Sequence, residues 1–272
     1  FVAKLAASDG HPLVARAFGD AGDQQYLRLG VGKSNDVTLV GWQYAGTDFG
    51  GGTLGGDAGL FGFIAHFDAN LTHQWSKALP NAQPQFVAHD VDGNILYTGN
   101  FGGTVDFAGT GSAGAEVLTQ QGAARNLFLT KLAPTGAHAW SRGFSGASTQ
   151  QVYGVSTGPQ REVALTGTLF TGSIAFSAGG VTAPALACGG QRNLFVASFT
   201  AAGAAQWSFC SGNASGFVEG QASATDPSGN VFAFGDYYNA STPSVSFPQS
   251  GPGKLTIPRV ADTDNFLVKL SP

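Results

Sequence analysis

A five-residue strand motif recurs five times along the chain: FVAKL at Phe1 to Leu5, FIAHF at Phe63 to Phe67, FLTKL at Phe128 to Leu132, FVASF at Phe195 to Phe199 and FLVKL at Phe266 to Leu270. The intervals are 62, 65, 67 and 71 residues. They divide the sequence into units of about 1–62, 63–127, 128–194 and 195–265, with a terminal strand at 266–272. Other positions keep phase. Twelve residues after the leading Phe stand Trp75, Trp140 and Trp207, with Leu13 in the first unit. Apolar runs then end in Gly41, Gly99, Gly167 and Gly235, and a further Phe follows in each unit at Phe49, Phe107, Phe176 and Phe247. Self-similarity over so many positions marks a repeat architecture whose units bury their faces against their neighbours, so the whole chain reads as a single domain.

The units read as strands and turns. Apolar residues alternate with period two rather than 3.6, and turn signals such as Asp92-Gly93-Asn94, Thr135-Gly136 and Ser228-Gly229-Asn230 separate the segments. We assign four strands per unit: the FVAKL-like segment, the Trp segment, a stretch ending near Val31, His89, Thr157 or Thr225, and the run ending at the phased Gly. The third of these carries Gly30, Ala88, Ser156 and Ala224 at one position, so one of its faces is kept small, as crowding near an axis requires. Charged residues make up only 11% of the chain and Gly supplies 41 positions, which suits close-packed sheet and glycine turns rather than charged amphipathic helices. The expected fold class is all-β: a β-propeller of about four four-stranded blades, or part of a larger one.

The succession FVAKL, Trp, Gly-Asn-(Val/Ile)-x-x-x-Gly, Phe-x-Gly and Phe resembles the bacterial SBBP-type β-propeller repeat of secreted and cell-surface proteins, especially of myxobacteria. The resemblance spans essentially the whole chain. It implies a secreted propeller and brings no catalytic residues with it. The chain departs from the pattern at Leu13, where Trp is expected, and at Gln160-Arg161-Glu162, where the Gly-Asn turn is missing, which puts local turn geometry in question. The duplicated first and last strand motifs admit three readings: a closing overlap of a four-unit ring, the start of a fifth blade, or an edge that pairs with another molecule.

Composition excludes some partners. A net charge of −4 without a basic cluster argues against nucleic acid, and no run of about 18 apolar residues is available to span a membrane. The chain has no Met and begins inside a strand motif, so we expect a processed protein or a piece of a longer one.

Candidate chemistry is sparse. Cys188 lies seven residues before Phe195 and Cys210 fifteen after it, on adjoining segments, so a disulfide in an oxidising compartment is the simplest reading, two buried thiols being the alternative. Asp90, Asp92 and Asn94 form a small acidic turn beside His89, a weak candidate for calcium. His11, His73 and His138 recur in phase, which places them on different units and argues against one shared ion. Gly50 to Gly55 and Gly109 to Gly114 match GxGxxG without the strand–helix context that phosphate binding needs, and read as glycine loops. Asn70, Asn213 and Asn239 head N-x-(S/T) triplets. The phased Trp residues read as packing, whereas Trp42, Tyr44, Tyr237 and Tyr238 follow the fourth strand irregularly and are candidate ligand contacts. No convergent acid, base or metal set is evident, and no cofactor is implied. The expected function is therefore a non-enzymatic extracellular structural or adhesive module of a cell-surface or appendage assembly, partnered by surface proteins, glycans or its own copies. A lectin-like glycan- or protein-binding propeller is the alternative.

Overall fold

The computed structural model describes residues 1–19, 24–44, 46–55, 61–109, 117–122, 124–147, 149–212, 216–238, 244–248 and 254–271. These residues are all-β, with no helix among them. An outlying pair, β1 (Val2–Leu5) and β2 (Pro12–Arg16), precedes the first sheet. That sheet takes β3 (Gln24–Val31) and β4 (Val37–Gln43) and then, after a small hairpin of β5 (Thr47–Asp48) and β6 (Thr53–Leu54), β7 (Phe61–Phe67) and β8 (His73–Pro80). The second sheet repeats the plan with β9 (Ala82–His89), β10 (Ile95–Phe101), the hairpin β11 (Thr104–Asp106) and β12 (Val117–Thr119), β13 (Asn126–Leu132) and β14 (His138–Phe144). The third uses β15 (Gln150–Thr157), β16 (Val163–Phe170), the hairpin β17 (Ile174–Ala175) and β18 (Ala185–Leu186), β19 (Arg192–Phe199) and β20 (Ala205–Ser211). The fourth has β21 (Phe217–Thr225), β22 (Val231–Tyr238), the hairpin β23 (Ser244–Pro248) and β24 (Lys254–Pro258), and β25 (Thr263–Leu270). A single parallel bridge between Arg192 and Phe217 joins the third and fourth sheets into one seven-stranded sheet.

Two features differ from the sequence reading. The first three sheets each draw their first two strands from one sequence unit and their last two from the next, and the fourth takes two strands from the last unit and β25 from the terminal motif, so the boundaries at 63, 128 and 195 fall inside sheets. Each unit also holds six strands rather than four, because the loop after the phased Gly forms a hairpin of its own. Gly50 to Gly55, read as a glycine loop, contains the turn and second strand of the first such hairpin; most of Gly109 to Gly114 lies outside the described residues.

The phased glycines do not end their strands. Gly99, Gly167 and Gly235 sit mid-strand, where the neighbouring strand bulges. A Cβ there would collide with the carbonyl oxygens of Gln83, Gln151 and Glu219 respectively, and at Gly167 and Gly235 also with the rings of Phe195 and Phe266. Glycine thus lets a bulged backbone and an aromatic ring approach at the same place.

The middle strands are buried on both faces. β7, β10 and β13 are covered along their whole length, which explains their nearly continuous apolar runs. The first strands of the sheets follow one another in space, β3 against β9, β9 against β15 and β15 against β21. The small residues fit this crowding: a Cβ on Gly30 would stand 3.3 Å from the Val87 carbonyl oxygen, and the Ser156 and Thr225 hydroxyls hydrogen-bond at 2.8 Å. Three aromatic-rich cores lie between successive sheets, in which Phe107 and Phe128, Phe176 and Phe195, and Phe247 and Phe266 pack ring against ring, and a fourth lies between the first sheet and the β1–β2 pair.

The outer strands are locked to the next sheet by the phased Trp. Trp75 Nε1 donates to the Pro134 carbonyl at 2.9 Å, and Trp140 Nε1 to that of Ala201 at 3.2 Å. Each indole lies against a turn glycine, Gly136 or Gly203, whose added Cβ would stand within 3 Å of the ring. A basic neighbour seals the same turn: Lys77 Nζ donates to the Gly136 carbonyl and Arg142 Nε to that of Gly203. The packing role expected of these two indoles is therefore accompanied by a polar anchor.

Candidate functional site

The chain places a carboxylate at the same point of all four sheets by two different routes. The turn joining the first and second strands spans five residues: Gly32–Asp36, Asp90–Asn94, Gly158–Glu162 and Asp226–Asn230. In each, the first N–H donates to the fifth carbonyl at 2.8–2.9 Å, and the fourth N–H donates back to the first carbonyl. The fourth residue takes a left-handed conformation, at φ 61° for Asn35, 86° for Gly93, 67° for Arg161 and 85° for Gly229. Gln160-Arg161-Glu162 thus keeps the turn geometry that its sequence had put in question, with Arg161 held in a region that non-glycine residues seldom occupy.

Asp90 and Asp226 supply the carboxylate from position one. Each accepts hydrogen bonds from the backbone N–H groups of positions three and five and from the Asn side chain at position five. The other two turns carry Gly at position one, and the acid stands at position five. Asp36 and Glu162 fold back into the vacated space, where a Cβ on Gly32 or Gly158 would collide with them. They too accept from position three, Ser34 N–H at 3.2 Å and Gln160 N–H at 2.8 Å.

What faces each carboxylate varies. The fourth residue of the recurring strand motif is Lys4, His66, Lys131, Ser198 or Lys269. Lys131 Nζ reaches Asp90 Oδ2 at 2.8 Å, buried on both sides, and Lys269 Nζ reaches Asp226 Oδ2 at 3.2 Å nearer the surface. In the first sheet, Asp36 Oδ2 lies 3.8 Å from His66 Nε2 and 3.4 Å from His89 Nδ1. The opposite nitrogens of both imidazoles stand 2.9 Å from the Thr38 hydroxyl, so Thr38 and Asp36, two apart on one face of the strand and its turn, bridge the two rings. His66 also stacks on Trp75 at 5.2 Å. In the third sheet the position is Ser198, and no cation pairs with Glu162 among the described residues.

Charge states follow from these surroundings. Burial lowers the pKa of His66 and His89 against the opposing pull of Asp36, favouring neutral rings. For Asp90 burial alone would raise the pKa, but hydrogen bonds from Lys131 and Asn94, with the Lys131 charge, outweigh it and the net shift is downward. Hydrogen bonding from Asn230 leads the causes that hold Asp226 down at about 2.

The expected site residues are distributed as follows. Cys188 and Cys210 form a disulfide with a Cα separation of 6.1 Å, tying the segment before β19 to β20. Asp90 is occupied by Lys131 and Asn94, and Asp92 by the exposed Arg161, so the acidic turn is an ion-paired one; no group of three or more metal-capable side chains stands together among the described residues. His73 and His138 each bond the serine three residues on, Ser76 and Ser141, and His11 is exposed. The four aromatic candidates belong to two sheets. Of the four, only Tyr44 follows its strand: Trp42 lies within β4, and Tyr237 and Tyr238 end β22. Trp42 and the exposed Tyr44 meet edge to face at 6.0 Å. Tyr237 is buried and donates to the Pro258 carbonyl at 2.8 Å. Tyr238 stacks on Phe217 at 4.8 Å and shares Arg192 and Glu219 as hydrogen-bond partners. Asn70 is exposed, while Asn213 and Asn239 lie outside the described residues.

Sequence reasoning passed over Asp36, Thr38, His66, Glu162 and Ser198. The motif's fourth position was in plain view as Lys, His, Lys, Ser, Lys. Its meaning was hidden because the facing carboxylate moves by four residues between turns. No protein-family model matches the chain, and no curated protein matches it.

Proposed function

We propose that this chain is a non-enzymatic structural or adhesive module of propeller type, acting outside the cell within a larger assembly of its own copies. The observation that carries this reading is a pair of incompletely covered apolar faces at opposite ends of the sheet series, the first capped in part by the β1–β2 pair. On the first sheet Leu27, Leu29 and Val31 are 45%, 54% and 57% exposed beside a hollow of about 480 Å³ lined by Phe1, Phe18, Phe49 and Phe63. On the fourth, Phe234 and Leu267 are 43% and 63% exposed. Within the chain, faces of this kind are covered by the next sheet, so the two end faces continue an interface that the molecule already makes. Exposed apolar area of this sort favours association. The disulfide fits an oxidising compartment, and no helix among the described residues is long and apolar enough to cross a membrane.

Sedimentation velocity over a concentration series, with negative-stain microscopy of the unreduced protein, tests the proposal. We expect concentration-dependent oligomers or fibres that Leu29→Arg and Leu267→Arg each disperse without loss of the β-sheet circular-dichroism signal. A monomer at every concentration, unaffected by either change, would overturn self-assembly and leave the glycan-binding alternative to be tried on an array.

A further inference from the structure

The boundary between the third and fourth sheets holds a cleft of about 350 Å³ lined by Glu162, Ser198, Gln206, Trp207 and the turn at Ser228 and Gly229. The molecule itself indicates what belongs there. At the equivalent place in the second sheet, the turn carboxylate of Asp90 receives the ammonium of Lys131 at 2.8 Å, and in the fourth Asp226 receives that of Lys269 at 3.2 Å. In the third sheet the carboxylate is present, contributed by Glu162 from position five and accepting from the Gln160 N–H at 2.8 Å. The lysine is not: Ser198 stands in its register position, paired with Ala164 as Lys131 is paired with Leu96, and its hydroxyl is turned to Gln206 Oε1 at 3.0 Å. Serine has three methylenes fewer than lysine and no charge, and the cleft lies beside it. Trp207, third in the series of phased indoles, lines it.

We propose that this cleft binds a primary ammonium group on an unbranched alkyl chain, supplied from outside in place of the absent lysine. The Glu162 carboxylate accepts a charge-assisted hydrogen bond from the ammonium, the Gln206 side chain gives it a further polar neighbour, and the indole of Trp207 meets the cation or the methylene stem. The half-buried position of Glu162 leaves the pair less screened than one on open surface. A lysyl side chain of a partner protein and a free diamine carry the same chemistry. The site is independent of the end faces invoked for assembly, so either idea can fail alone.

The test uses the intact chain labelled with ¹⁵N and follows the indole cross-peak of Trp207, assigned by its loss in Trp207→Phe. The probes are Nα-acetyl-lysine N-methylamide, cadaverine and, as the uncharged isostere, Nα-acetyl-norleucine N-methylamide. The expected result is a saturable shift with an ammonium probe and none with the norleucine compound. A response to the lysine compound alone identifies a lysyl side chain as the source, and a response to cadaverine alone a free diamine. Glu162→Gln should weaken binding by about tenfold or more, the factor that corresponds to losing one charged contact. Ser198→Lys should abolish binding and raise Tm, because it rebuilds the internal pair seen at Asp90. Equal shifts with the norleucine compound, undiminished binding in Glu162→Gln, or no shift with either ammonium probe would overturn the proposal. If Ser198→Lys fails to fold, the Glu162→Gln titration decides.

Discussion

Strands β13 and β25 carry nearly the same motif, FLTKL and FLVKL, in the same register against their neighbours: Phe128 opposite Gly99, and Phe266 opposite Gly235. One face of each is equally buried, with Phe128 at 0% and Phe266 at 3% exposure. The other face differs completely, since Leu129 is fully buried whereas Leu267 is 63% exposed. The motif therefore encodes a strand fit for burial on both sides, and whether the second side is covered depends on what packs against the whole sheet. Local sequence specifies the strand; its environment is a property of the array.

The largest expected effect tests this contrast directly. Leu129→Ala should destabilise the chain by about 2–5 kcal/mol, the range for emptying a packed core site, whereas Leu267→Ala in dilute protein should stay within about 0.5 kcal/mol. Urea titrations of both variants read the difference. Equal losses in dilute protein would mean that β25 is covered and the contrast is false. A cost for Leu267→Ala that grows with protein concentration would sharpen it, by showing that a second copy supplies the missing cover.

A smaller effect separates the seams by what faces the turn carboxylate. At the first sheet, neutral His66 and His89 face Asp36, each other and the Thr38 hydroxyl, with Asp90 also acting on His89. Their folded pKa values lie below the ordinary 6.5, so between that value and the lowered ones the unfolded chain binds more protons than the folded one. Stability from these rings is present above about pH 6.5 and is lost as pH falls toward the folded values. The Asp90–Lys131 seam has the opposite charge logic but the same direction of loss: the depressed carboxylate keeps its contribution until pH falls through its folded pKa, below the ordinary 3.8. We expect Tm to decline in two separated stages on acidification. His66→Gln should blunt the first stage and leave the second. A Tm flat from pH 7 to 5 in the wild type would remove the histidines from the account.

Much of the array was readable in the sequence, because packing between like units forces like residues into phase. The Phe of the strand motif, the Trp and the small residues of the first strand in each sheet all repeat for reasons confined to one neighbour. The reading failed where two compensating positions act together. Gly32 with Asp36 and Asp90 with Asn94 look unrelated along the chain, yet each delivers one carboxylate to one point, the glycine making room for an acid four residues later. Gly99 looks like the end of a strand along the sequence because the bulge that it accommodates belongs to the adjoining strand. The extra hairpins of the first three sheets were hidden because strands of two or three residues leave no periodic signal.

The smallest effect concerns the tyrosines at the ends of the second strands of the first and last sheets, and it asks whether the end sheet is loosely held throughout or only uncovered on one face. Tyr237 is buried, and its hydroxyl donates to the Pro258 carbonyl at 2.8 Å, fastening β22 to the hairpin strand β24. Tyr44 is exposed and touches Trp42 only edge to face. Removing the hydroxyl alone should therefore cost about 1 kcal/mol in Tyr237→Phe, the worth of one hydrogen bond, and nearly nothing in Tyr44→Phe. Burial raises the Tyr237 pKa above 10, so the hydroxyl remains a donor at neutral pH. Chemical denaturation resolves a difference of this size in paired measurements. If Tyr237→Phe proves as silent as Tyr44→Phe, the end of the fourth sheet is mobile in solution, and the exposure of Leu267 reflects a loosened sheet rather than an intact one with an uncovered face. If it costs the full amount, β22 and β24 are held as firmly as interior strands, and the open face of β25 is a built surface available for a partner.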